Sequence, residues 1–111
     1  MSKSQRDKGK RGEREVASAL RAWGYDAHRV QQSERAYQCD VEGTPWWLEV
    51  KIGKSIRFWA AIAQADADAE AEASRKGKSR PPVVAFRRDG DTQWRVIMQL
   101  EDALDLLGEP Q

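Results

Sequence analysis

The stretch CDVEGTPWWLEVK, residues 39–51, decides how this chain folds. Gly43, Thr44, Pro45 and Trp46 make a four-residue connection with two turn formers, and the segments Tyr37–Glu42 and Trp47–Ile52 beside it read as antiparallel strands. Closed through that connection, the hairpin sets Glu42 opposite Trp47 and Asp40 opposite Glu49. Leu48, Val50 and Ile52 then share one face of the second strand, and Trp47, Glu49 and Lys51 share the other. The apolar face is expected to cover the core. The other displays a carboxylate and an ammonium two residues apart.

Working outward, Val16, Ala19, Leu20 and Trp23 recur at helical spacing before Gly24, which predicts a helix over Arg11–Trp23. Residues 1–11, MSKSQRDKGKR, have no apolar side chain after Met1 and read as a flexible basic arm. Tyr25–Val30 alternates as a strand does, and Gln31–Ala36 is polar loop. Phe58–Ser74 is alanine-rich, free of glycine and proline, and should be a long helix; the basic run RKGKSRPP then breaks it. Val83–Phe86 and Trp94–Met98 flank the hairpin signature Asp89-Gly90-Asp91, and Leu100–Leu107 makes a short helix before Gly108. The order α-β-β-β-α-β-β-α describes one α/β domain over residues 12–108, a mixed five-stranded sheet flanked by helices.

Composition narrows the chemistry. At 111 residues, 40% hydrophobic and 33% charged, the chain can bury one modest core. No apolar run approaches the roughly 18 residues of a membrane span, and the basic N-terminus lacks the apolar stretch of a secretory signal, so a cytoplasmic protein is expected. A single cysteine, Cys39, and a single histidine, His28, exclude a disulfide framework and an internal Cys/His zinc site. What remains is carboxylate and lysine chemistry, with or without a hard metal ion. Net charge is only +1, but residues 1–35 carry nine Lys/Arg against five Asp/Glu while the rest of the chain is net acidic. A positive N-terminal third attracts polyanions.

Directly opposed Asp40 and Glu49 would sit about 4.5–5.5 Å apart at Cβ, where two anions repel. A divalent cation between them removes the conflict. Oxygen ligands select Mg²⁺, Mn²⁺ or Ca²⁺ over zinc or copper. Lys51, on the Glu49 face, can orient an attacking water or neutralise charge building on a phosphate. These are the parts of metal-assisted phosphodiester hydrolysis.

The combination of Asp40 with Glu49-Val50-Lys51, the opening KGKRGEREV of residues 8–16 and the VVAF…WRVI ending resembles the archaeal-type Holliday-junction resolvases of the PD-(D/E)XK nuclease superfamily. The resemblance runs from about Gly9 to Met98 and implies a restriction-endonuclease-like domain. It implies Glu13, Asp40, Glu49 and Lys51 as catalytic residues. Glu13, Asp40, Glu49 and the Val50 carbonyl would serve a Mg²⁺ site in which Mn²⁺ can substitute. Arg14 and Arg29 become phosphate contacts, and Lys10 and Arg11 of the basic arm contact DNA. A symmetric homodimer acting on branched DNA, the four-way junction, follows from the same resemblance. Two departures stand out: Cys39 occupies the place of the motif's proline, and the long connection Gln31–Gln38 leaves Ser33 unaligned.

Other residues carry weaker signals. Trp23, Trp46, Trp59 and Trp94 are expected in the core or a subunit interface, and Trp47 is a candidate base-stacking residue. Gln64 is read as an exposed helix glutamine, Cys39 as a small buried hydrophobe, and His28 has no catalytic part. Asp66, Asp68, Glu70 and Glu72 read as a solvated acidic surface. The basic run Arg75–Arg80 is either a second phosphate-binding loop or a linker. Three rival functions stay open: another nuclease of the superfamily (nicking, flap or single-strand), a non-catalytic DNA-binding module, and an interaction protein whose acidic helix docks a basic partner.

Overall fold

The computed structural model describes residues 3–31 and 38–110. Tyr37, expected to open a strand, and most of the loop Gln31–Ala36, Ser33 included, lie outside the described residues, as do the first two residues of the basic arm. The elements are α1 (Lys3–Ala22), β1 (His28–Arg29), β2 (Val41–Glu42), β3 (Trp47–Gly53), α2 (Phe58–Lys76), β4 (Pro82–Arg88), β5 (Arg95–Ile97) and α3 (Leu100–Leu107). They follow the expected order. The strands form one five-stranded sheet in the order β1-β2-β3-β4-β5.

Only the central pair is parallel. β3 and β4 align over seven residue pairs, from Trp47↔Pro82 to Gly53↔Arg88, and α2 is the crossover between them. The outer pairs are antiparallel. In the first hairpin Val41 pairs with Leu48, the expected register, so Asp40 comes level with Glu49.

Helices cover both faces of the sheet. Val41, Leu48, Val50, Val83 and Ala85 pack against Val16 and Ala17 of α1. On the opposite face Cys39, Trp47 and Val84 pack against Ala61, Ala65 and Ala69 of α2, whose small side chains let the helix approach closely. The Trp47–Glu49 face, expected to display polar groups, is therefore roofed by α2, and both residues are buried.

Helix α1 starts at Lys3 rather than Arg11, so residues 3–10, read as a flexible arm, form its first turns. Two contacts explain the extension. Lys8 reaches Asp89 of the β4–β5 turn at 2.7 Å. Gly12 lies so close to the sheet that an added Cβ would sit 3.3 Å from the Trp94 ring. The inward face is Gly12, Glu13, Val16 and Ala17, which leaves Trp23 83% exposed. Trp59 is equally exposed, whereas Trp46 and Trp94 pack half-buried on the core. β1 and β2 are shorter than expected, two residues each. α3 buries none of its residues, and among the described residues no helix is long and apolar enough to cross a membrane.

Gly43, in the turn before β3, combines a φ of +93° with a backbone approach that would put a Cβ 1.9 Å from the Asp26 carbonyl. Gly43→Ala should therefore lower unfolding free energy by about 1–3 kcal/mol or more. An unchanged denaturation midpoint would mean that this approach is not made.

Candidate active site

A pocket of about 430 Å³ opens where β2 leaves the edge of β3, and Glu13, Asp40, Glu49, Val50 and Lys51 all line it. Gln5, Arg6, Gly9 and Lys10, from the first turns of α1, form a second wall, and Gln64 of α2 completes the lining. The four residues expected to be catalytic are thus brought to one cavity. Lys10 joins them, while Arg14 lies in a separate depression with Arg11, Glu15 and Trp94. Arg6 and Gln5 were legible only as members of a tail; once the helix starts at Lys3, their spacing from Gly9, Lys10 and Glu13 puts them on one stripe.

Each acid is fixed by a different donor. Asp40 accepts the Val50 backbone N–H at 2.8 Å on Oδ2, while its own N–H donates to the Leu48 carbonyl at 3.0 Å. The side chain thereby continues the β2–β3 ladder just past the end of β2. Glu49 accepts the Trp47 indole N–H at 3.0 Å on Oε1. Trp47 is 3% exposed, so it cannot stack on a base, as the sequence allowed; it orients Glu49 instead. Glu13, also buried, takes the Arg29 Nε–H at 3.1 Å. Arg29, expected at a phosphate, is turned onto that carboxylate.

Burial pushes the Glu49 carboxyl up to about 8, with the Asp40 charge adding to the rise; the Trp47 bond and the Lys51 ammonium pull the other way without prevailing. Among the described residues no three acidic, histidine or cysteine side chains gather as a preformed metal cage. The Asp40–Glu49 pair nevertheless fits a hard divalent cation, because the two carboxylates, Glu49 buried and Asp40 half-buried, line one cavity of ample size.

Behind the pair lies a buried network absent from the sequence reading. Arg80, only 8% exposed, meets Glu42 at 2.8 Å and Glu72 at 2.7 Å. It also donates to the Trp46 carbonyl at 3.2 Å and lies 5.5 Å from the Trp47 ring centroid. Burial opposes its charge, but the two glutamates raise its pKa regardless. Glu72 therefore does not belong to a solvated acidic surface, and Arg80 is neither linker nor phosphate loop. The signal was there: Glu72 continues the helical spacing of Ala61, Ala65 and Ala69, the buried stripe of α2. A second knot joins Arg87 to Glu15 through two bonds of 3.0 Å, with the Trp94 indole donating to the same glutamate. Cys39 is buried as expected, and burial lifts its thiol to about 12. His28 is exposed and away from the pocket.

Glu49 is raised in the folded state, so the fold holds a proton that the unfolded chain has released, and stability falls as pH rises from about 4.5 to about 8. Glu49→Gln should remove this dependence, raising Tm relative to wild type at pH 8–9 and changing it little at pH 4; equal Tm differences at both ends would contradict the placement. Arg80→Ala leaves the buried Glu72 and the half-buried Glu42 without their partner and should cost about 3–5 kcal/mol in chemical denaturation, whereas a loss below about 1 kcal/mol would show Arg80 to be solvated. No family model, curated protein or solved structure matches the chain.

Proposed function

We propose that this protein is a divalent-cation-dependent, structure-selective DNA endonuclease of restriction-endonuclease-like fold. Its substrate in this reading is the four-way junction, cut symmetrically near the branch point by a homodimer. The observation that carries the reading is the single pocket in which Asp40, Glu49, Lys51 and Glu13 meet. The placement of Glu49-Val50-Lys51 on a central strand, level with Asp40, supports it.

Asp40 and Glu49, with the Val50 carbonyl, would hold Mg²⁺ or Mn²⁺. Bound there, the ion supplies Lewis-acid polarisation of the phosphodiester and acidifies water. The protein's own groups do the rest. Trp47 holds Glu49 toward Asp40, and Arg29 holds Glu13 at the pocket wall. Lys51 offers its ammonium to the phosphate and to the attacking water. Arg6 and Lys10 draw the sugar–phosphate backbone to the rim, with Arg11 and Arg14 extending the basic face of α1. Such contacts read shape and charge rather than base edges. Two such sites related by a two-fold axis suit a junction whose opposed strands are themselves symmetry-related.

Asp40→Asn is expected to lower the cleavage rate about 100-fold or more with Mg²⁺ or Mn²⁺ while junction binding persists. Lys51→Ala should lose about 10²–10⁴-fold. The assay compares junction, flap, nicked and linear DNA at equal concentration. Paired cuts confined to the junction support resolution, cuts at flaps or nicks assign another nuclease activity to the same pocket, and wild-type rates in both variants would refute the catalytic assignment.

A further inference from the structure

The carboxylate pocket does not end at Lys51. A depression of about 250 Å³ adjoins it and shares Lys51 and Gln64 with it. A third, of about 240 Å³, shares Gly53 and Ile56 with the second. Linked through these shared residues, the three depressions succeed one another from the carboxylates, past the end of β3 and the start of α2, to β4 and β5.

Lys54, Arg88 and Arg95 line the last of the three. All three are exposed, and none is ion-paired among the described residues. This distinguishes them from Arg80 and Arg87, whose guanidinium groups are committed to glutamates. Of the carboxylates beside them, Asp91 accepts the backbone N–H groups of Thr92 and Gln93, and Asp89, on which Lys54 also acts, is held by Lys8 at 2.7 Å. Three solvated cations around one concavity repel one another and contribute nothing to packing. A polyanion crossing it turns that repulsion into attraction.

We propose that Lys54, Arg88 and Arg95 form a second backbone-binding subsite, which takes the sugar–phosphate backbone of the nucleic-acid strand entering the carboxylate pocket. The identity of that strand rests on the nuclease reading; the subsite itself does not. Arg88 pairs with Gly53, four residues along β3 from Glu49, and Arg95 pairs with Phe86, the partner of Lys51. At ~3.3 Å per residue and ~4.8 Å per strand, the subsite lies roughly 12–14 Å from Glu49. That distance is about four nucleotides of stacked strand at ~3.4 Å each.

The test measures binding of fluorescent single-stranded DNA, a 12-mer and a 3-mer, in EDTA so that no cleavage intervenes. Wild type is compared with Arg88→Ala/Arg95→Ala and with Lys76→Ala/Lys78→Ala, an equal charge change at the opposite end of β4. For the 12-mer, the slope of log K against log salt should become shallower by about 1.4 in the first double variant, at ~0.7 per lost phosphate contact, and hold in the second. The 3-mer should bind all three proteins alike. Equal slopes in the two double variants, or no binding of the 12-mer by wild type, overturn the subsite. Cleavage, scored separately with Mg²⁺, tests the nuclease reading: a shallower slope without cleavage leaves the subsite standing, and cleavage with an unchanged slope removes it alone.

Discussion

The Arg80 guanidinium is the contact on which the geometry of the site depends. β2 is only two residues long, so backbone bonds alone hold it weakly to β3. Arg80 grips Glu42 of β2 and Glu72 of α2 at once, bonds the carbonyl of Trp46 in the connecting turn, and lies over the ring of Trp47. Strand, turn, central strand and crossover helix are thereby joined at one buried charge. A slip of one residue in the β2–β3 pairing would carry Asp40 to the other face of the sheet. It would also pull Glu42 off its arginine, a penalty that a two-residue ladder could not impose by itself. The register that brings Asp40 level with Glu49 is thus secured from behind, by residues that never touch the pocket.

Trp47 carries that rigidity forward. Its ring is packed among Ala61, Ala65 and Val84 beneath the arginine, and its N–H fixes one oxygen of Glu49. An indole so confined has no rotamer freedom to lose, so Glu49 is oriented before any ligand arrives. Preorganisation of this kind has a cost. Glu49 is buried beside a like charge, and the fold tolerates it because the surrounding contacts determine its position more strongly than its own repulsion opposes it.

Local pattern carried much of this and failed at long-range charge. The four-residue connection after Glu42 was enough to give the hairpin register, and the basic run RKGKSRPP and Gly108 mark the ends of α2 and α3 to within two residues. Asp40, Glu49 and Lys51 were legible because a hairpin is local: its geometry follows from chain distance. Arg80 and Glu42 are 38 residues apart, and each looks like an ordinary surface charge until a parallel crossover brings them together. The start of α1 failed for a related reason. Nothing apolar marks residues 3–11, and the contacts that hold them, Lys8 to Asp89 and Gly12 to Trp94, are made with the far end of the chain. Trp23 misled in the opposite direction: its spacing is helical, but α1 ends at Ala22, so Trp23 lies in the turn beyond the helix and stays exposed.

The donors that fix the three acids also separate their roles. Glu13 is held by a guanidinium, which orients it and balances its charge. Asp40 accepts a backbone amide N–H, and Glu49 accepts an indole N–H, a neutral donor that fixes direction without supplying a counter-charge. Burial is the main cause that raises the Glu49 carboxyl; the Asp40 charge adds to it, and Lys51 offsets part. A proton satisfies Glu49 in the free protein, and under the proposed function a divalent cation would compete with it for the same position. Cation affinity at the pair would then rise with pH, because displacing a proton from Glu49 costs less as the solution becomes more basic. Of the acids that line the pocket, Glu49 has a carboxyl lifted this far, so under the proposed function its proton is the one a bound cation would displace.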